Sequence, residues 1–449
     1  MKNSKTLKIL IILGLLTGCS FDSKTGIWDS SKGEKERIAS IKDKQNSLLS
    51  SKKVYSSKAI YYDEILSNIP VVLSKPINII NWKMPNLNEQ NFKGNIYLSG
   101  VSNNFFKKKI GKKKFSFSKP MTSPVINSNY IILADDTGTI FNISKKGKLI
   151  WKKNIYKKVY KKIYKNLSLS IYEDLLFVSD NIGFIYSINI KTGKILWIKN
   201  HGIPIKSQIK LFDNKIYLIN QDNRIICLDS SSGTKIWDVR TVSSFIKSQN
   251  FLASAISKKG ELFILNSSGD LISLSAYTGN LFWSINVTPS LYAHDKDFFK
   301  SSDIVIEGDN IYFSTTTSLF SYSSTNGYMN WQVDINSTST PIIDKNNVFI
   351  VSDNGFFANV DKISGKIIWL IDTLKILKKK KRATNISGFI LGSGKVYITT
   401  SNGYLISGSA STGKTESFIK IGDVINIAPV ISNGSLFVLT ENSRLLGFN

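Results

Sequence analysis

The sequence predicts an all-β protein, an eight-bladed β-propeller, on three observations. An apolar strand ending in a polar turn recurs eight times. A glycine followed within four residues by tryptophan recurs six times, and no apolar run outside the extreme N-terminus approaches the roughly 20 residues that span a bilayer. A chain of 449 residues exceeds what one hydrophobic core usually organises, so several domains or a repeat architecture is expected.

The N-terminus reads as an export signal. Lys2, Lys5 and Lys8 make a basic start, and Ile9 to Leu16 make an apolar stretch too short to anchor a chain in a membrane, which assigns residues 1–18 to a signal peptide. Leu16-Thr17-Gly18-Cys19 matches the bacterial lipobox, whose small residues admit the peptidase and whose cysteine, here Cys19, accepts the diacylglycerol. Ser20 at the next position resembles the outer-membrane sorting pattern. The expected location is therefore the periplasmic face of the outer membrane, with the lipid in its inner leaflet.

Residues 19–78 are expected to be a flexible periplasmic tether, since Ser and Lys are frequent and periodicity is lacking. A flexible segment of about 50 residues has an end-to-end distance near ~40 Å. Val71-Val72-Leu73 and Ile77 to Trp82 then restore strand character, and residues 79–449 are assigned to the propeller.

The first repeated element is seen at Ile131 to Asp135, Leu176 to Asp180, Ile216 to Asn220 and Leu262 to Asn266. It returns at Ile311 to Thr315, Phe349 to Asp353, Val396 to Thr400 and Leu436 to Thr440. Start-to-start spacings of 45, 40, 46, 49, 38, 47 and 40 residues fit one four-stranded blade each. The second element closes the unit and is clearest at Lys191-Thr192-Gly193-Lys194-Ile195-Leu196-Trp197. Counterparts end at Trp151, Trp237, Trp283, Trp331 and Trp369, whereas Ser411-Thr412-Gly413-Lys414 runs on to Phe418. A short hairpin turn with a bulge needs a positive φ, which favours the glycine. Six equivalent tryptophans imply six equivalent packing contacts rather than one cofactor platform. Eight first elements against seven closures leave the last blade unfinished, so an N-terminal strand, Ile77 to Trp82 or Gly94 to Ser99, is expected to complete the ring.

Composition excludes several chemistries. The formal charge of +27 becomes +24 when residues 1–18, with three lysines and no acid, are removed. Export argues against nucleic acid as the partner. The lysine runs at Lys107 to Lys109, Lys112 to Lys114 and Lys378 to Arg382 read as solvated loop tips, with contact to anionic lipid headgroups as the alternative. Two histidines, His201 and His294, and two cysteines, Cys19 and Cys227, make a transition-metal site of the usual ligands unexpected. No cofactor or metal is expected, and Cys227, inside an apolar run, reads as a buried small residue.

With these motifs in hand the sequence resembles the outer-membrane protein assembly factor BamB family, within the wider quinoprotein-like propellers. The resemblance rests on the Thr-Gly-Lys to Trp closures, the lipobox, Pro70-Val71-Val72-Leu73, Asn81-Trp82 and the final Leu436 to Thr440 and Phe448 strand pair. It implies a non-catalytic scaffold lipoprotein that binds the POTRA domains of the barrel-assembly subunit BamA, alongside other lipoproteins of that machinery. It also implies two contact loops. Phe245, Ile246 and Lys247 occupy the interval after Trp237 that matches the family's apolar-plus-basic loop, and Asp295 and Asp297 after Trp283 are nearest to its acidic loop. Lysine stands where the family has arginine, losing the bidentate fork. Exposed Phe245 and Ile246 beside a cation would make an interface anchor, and folding back beneath the blade edge is the alternative. Two rival classes share the fold: a quinone-cofactor dehydrogenase, whose cofactor funnel and adjacent-cysteine motif have no counterpart in this sequence, and a propeller binding an envelope polymer through its lysines.

Overall fold

The computed structural model describes residues 19–21, 28–50, 63–67, 69–112, 114–115, 122–242, 252–288, 299–377 and 384–449. Eight antiparallel four-stranded sheets follow one another along the chain. The first seven blades span residues 125–154, 167–200, 210–240, 253–286, 305–333, 342–372 and 386–420, and the eighth joins 430–448 to a strand from the N-terminal part. Within each of the first seven, four strands follow in order from inner to outer. In the second blade these are Leu167–Tyr172, Leu175–Asp180, Phe184–Asn189 and Ile195–Asn200.

The two middle strands of a blade are covered on both faces by neighbouring blades. That is why Leu175–Asp180 reads as a nearly continuous apolar run, with Leu176, Phe177 and Val178 fully buried. Outer strands are covered on one face only, and in Ile195–Asn200 four positions are half-buried while Leu196 and Asn200 are exposed. The register of the third and outer strands shifts by one residue in each of the first seven blades, at Asn142/Ile143, Ser187/Ile188, Cys227/Leu228, Ser273/Leu274, Ser321/Tyr322, Asn359/Val360 and Ser407/Gly408. The expected bulge beside each turn glycine is therefore present.

That bulge sets the tryptophan's direction. Each indole lies over the turn glycine of the next blade: Trp151 over Gly193, Trp197 over Gly233, Trp237 over Gly279, Trp283 over Gly327, Trp331 over Gly365 and Trp369 over Gly413. The indole N–H of five donates to a carbonyl three residues before that glycine, as in Trp283 Nε1 to Ser324 O at 2.9 Å and Trp331 Nε1 to Lys362 O at 2.9 Å. Behind five of the six indoles an aromatic of the second strand packs within its own blade, for example Phe263 against Trp283 and Tyr312 against Trp331, while Ile132 takes that register behind Trp151. Phe418 does not take this role. The residue in the tryptophan register is Ser417, opposite Ser407, and Phe418 points outward, 45% exposed. The eighth blade has no third-to-outer hairpin and hence no turn glycine for an aromatic to cover.

The ring closes through an N-terminal strand, as expected, but a different one. Asn104–Lys109 pairs with Arg444–Phe448, Phe106 standing opposite Gly447 and Lys109 opposite Arg444. An outer strand needs only one well-buried side chain here, which Phe106 supplies at 8% exposure. The run Lys107 to Lys109 therefore belongs to a strand and not to a loop tip. Lys378 to Arg382 lie outside the described residues.

The two segments first expected to close the ring cross the centre instead. Trp82 exchanges both backbone hydrogen bonds with Ile126 of the first blade, and Lys83 O accepts from Ile171 N–H of the second. Glu89 O and Gln90 O accept from Ile256 and Ile306 of the fourth and fifth. Ser74 N–H donates to Asp344 of the sixth, Ile96 brackets Leu391 and Ser393 of the seventh, and Ile79 O accepts from Asn433 of the eighth. Asn91 Oδ1 accepts the Lys210 ammonium of the third. Residues 72–99 thus form a plug that touches every blade. Within the span first read as a tether, Ser31–Ser50 form a helix, and Ile38 is buried in the core between the first and second blades.

Candidate functional site

In this topology every link from an outer strand to the next inner strand leaves from one face of the ring. The links at 243–251, between Lys235–Arg240 and Ala253–Ile256, and at 289–298, between Leu281–Asn286 and Val305–Glu307, are of this kind and stand one blade apart. Phe245, Ile246, Lys247, Asp295 and Asp297 all lie outside the described residues, as does His294. Their stems are described and held. Asn223 Nδ2 donates to Val242 O at 2.7 Å, Thr241 Oγ1 to Asn223 O at 2.9 Å, and Thr288 N–H to Asn286 Oδ1 at 3.1 Å. Leu252 N–H donates to Lys206 O, returning the first link to the central channel.

The plug meets the far ends of the inner strands and so closes the opposite face. On the linking face the channel remains open as a cavity of about 250 Å³, walled by Ser123, Ser168, Thr338, Ser387 and Ala428 at the starts of the inner strands. Its floor is the plug, through Trp82, Asn86 and Lys93, together with Asp303 and Gln208. Asp303 accepts from Asn86 Nδ2 and, at 3.2 Å, from Gln208 Nε2. Beneath, fully buried Asn91 donates to Ser254 O at 3.0 Å and Ile304 O at 2.6 Å while receiving the Lys210 ammonium. Burial pushes Lys93 down to about 8, with Asp303 opposing the shift and Lys210 adding to it. Lys210 is likewise pushed down to about 8 by burial, against the pull of Asp303 and Glu89.

This chemistry is that of a structural polar knot. Its acid is already engaged by two amides, and the lining of the cavity contains no arginine. A quinone cofactor with its cation needs several convergent carboxylate and cationic ligands about a planar slot, and this lining does not fit it. Among the described residues no group of three or more His, Cys, Asp or Glu could hold a metal ion. His201 is half-buried after the outer strand of the second blade, and burial lowers its pKa. Cys227 is fully buried, and burial pushes its thiol up to about 12. The backbone of Cys19 pairs with Ser30 in a two-stranded ribbon.

The knot was not anticipated from sequence. One signal was present: among residues that share the register of Lys210 on the inner strands, the others are Val125, Ser170, Ala255, Val305, Ile342, Ile390 and Val430, so Lys210 alone is charged. Reading it requires the blades to be aligned first.

A family model described as outer membrane protein assembly factor BamB matches residues 82–207 and 138–370, more than half of the chain. The protein of that description from Moranella endobia (strain PCIT) is 20% identical over 274 residues, covering 56% of this chain and 66% of the relative. The chain thus spans about two thirds of that relative's length. Among solved structures, BamB from Moraxella catarrhalis superposes with a TM-score of 0.64 at 13% identity, over 77% of this chain and 99% of that one. The quinohemoprotein alcohol dehydrogenase of Comamonas testosteroni gives 0.64 at 10%, over 82% and 80%. At such identities the structural likeness shows the fold alone.

Proposed function

The chain belongs to the outer membrane protein assembly factor BamB family, and from that premise we propose that it is a non-catalytic scaffold of the outer-membrane β-barrel assembly machinery. In this reading Cys19 carries the lipid that holds the chain on the periplasmic face of the outer membrane. The links after Trp237 and Trp283 bind the POTRA region of the central barrel subunit BamA, with Phe245, Ile246 and Lys247 as the apolar and basic contact and Asp295 and Asp297 as the acidic one.

The observation that carries the reading is the family match over residues 82–370. The fold supports it in two ways. The described stems of the two links, Val242 and Leu252 on one and Thr288 and Phe299 on the other, belong to adjacent blade junctions. The plug closes the channel on the face opposite the links and floors the remaining cavity, where Asp303 is held by Asn86 and Gln208 and Asn91 by Lys210.

A photo-crosslinker at Ile246 in the full chain, in envelopes, tests the proposal. The expected product joins this chain to the barrel subunit. Failure at Phe245, Ile246, Lys247, Asp295 and Asp297 alike would sink the assignment of the face. Saturable binding of quinone and calcium with dye reduction would replace it by the dehydrogenase reading.

A further inference from the structure

A second cavity, of about 470 Å³, opens on the linking face at the junction between the first two blades. Lys114, Lys157, Lys158, Lys161 and Lys165 line it, with Tyr156 behind, and no carboxylate does. The acids beneath are occupied. Asp136 accepts the backbone N–H groups of Lys114 and Phe115. Asp180 accepts the Tyr156 hydroxyl and three backbone N–H groups, from Ile182, Gly183 and Phe184. Lys114 Nζ donates to Lys161 O at 2.9 Å, and Lys165 donates to Tyr160 O beneath the turn with its ammonium 5.2 Å from the Tyr156 ring centre. Burial, and after it the Lys114 charge, push Lys165 down to about 8, with Asp180, Asp136 and Asp135 opposing the shift. Lys158 and Lys161 are exposed on the 3-10 turn Lys158–Lys162, and between them Val159 is 40% exposed.

A second observation places this turn relative to the chain's start. The helix Ser31–Ser50 docks on it: the Tyr160 hydroxyl donates to Glu34, Arg37 donates to Ile182 O, and Arg37 pairs with Glu34 at 2.7 Å. The strand Trp28–Ser30 runs directly into that helix and pairs with Cys19–Phe21, Cys19 opposite Ser30. One antiparallel pairing and one helical turn therefore separate Cys19 from the docked Glu34, a backbone path on the order of 10–15 Å. A lipid on Cys19 would bring this turn, its lysines and its exposed valine, to the membrane surface.

We propose that the lysine-lined pocket seats the phosphate of an anionic lipid headgroup in the leaflet that holds the Cys19 acyl chains. The proposal rests on the lipid-anchor part of the preceding section. Lysines at a membrane surface attract anionic headgroups through the surface potential, and an apolar side chain among them adds shallow insertion.

The full chain carrying Cys19→Ser removes the acyl contribution and is compared with the same chain carrying Lys158→Glu and Lys161→Glu as well. A control carries Lys194→Glu and Lys414→Glu, an equal charge change at exposed turns of other blades. Thermal unfolding monitors the fold of each. Sedimentation with phosphatidylcholine vesicles, with and without phosphatidylglycerol, should show preference for the anionic vesicles, lowered about tenfold or more by the Lys158 and Lys161 reversals and little by the control. Equal losses in both variants would overturn the pocket in favour of net charge alone. Calorimetric binding of inorganic phosphate that is lost with the reversals, without vesicle preference, would overturn the lipid as source. Mass spectrometry of the wild-type chain from membranes reads the anchor separately. An unmodified Cys19 with lysine-dependent vesicle binding would overturn the anchor and not the pocket's chemistry, and an acylated Cys19 with lysine-independent binding would overturn the pocket and not the anchor.

Discussion

Phe106 of the closing strand lies over Gly147 of the first blade, where any Cβ on the glycine would overlap its ring. It stands opposite Gly447, which stands opposite Phe437, the register that Trp283, Ser273 and Phe263 share in the fourth blade. The N-terminal strand therefore closes the ring with the same aromatic-on-glycine contact that joins the first seven blades. Phe106→Ala should cost about 3–4 kcal/mol, read as a lower denaturant midpoint. Removing residues 104–109 should expose the Arg444–Phe448 edge and produce concentration-dependent association in size-exclusion chromatography. A monomer of unchanged stability would refute the closure.

The six tryptophans are equivalent in packing but not in hydrogen bonding. Trp331 Nε1 donates to Lys362 O, whereas Trp369 Nε1 is buried with no partner. Replacing Trp369 by Phe should therefore be less costly than replacing Trp331 by Phe, by about 1 kcal/mol, because only the second forfeits a hydrogen bond and strands a carbonyl. Paired denaturant curves decide it, and equal losses would mean that the Trp369 indole is satisfied in solution.

Cys227 supplies a pH signature. Its thiol is pushed up to about 12 from an ordinary value of 9 by burial. The folded state thus holds a proton that the unfolded state loses, so this contribution to stability is full below pH 9 and declines as pH rises from about 9 towards about 12. Lys93, Lys165, Lys206 and Lys210, pushed down to about 8 from 10.5, act in the opposite sense between those values. The comparison is therefore wild type against Cys227→Ala: the difference in unfolding free energy should shrink as pH rises above 9. The native thiol should also resist thiol reagents at pH 8 until the chain unfolds. Rapid labelling of the folded protein would contradict its burial.

The repeating unit was legible in the sequence because blades are built from local rules: apolar middle strands throughout and, in the first six, a glycine at the bulged turn with a tryptophan four residues beyond it. The count of eight openings against seven closures even demanded an N-terminal strand to finish the ring. Which strand did so was decided by tertiary structure. An outer strand buries one side chain, so Asn104–Lys109, with Phe106 among lysines, carries too little apolar pattern to stand out, while the more strand-like Ile77 to Trp82 found backbone partners across the channel. The floor built by Asn91, Lys93, Lys210 and Asp303, and the pocket built by Lys114 and the Lys158–Lys162 turn, join residues distant in sequence. No local period announces them, since long-range closure of the ring brings their partners together.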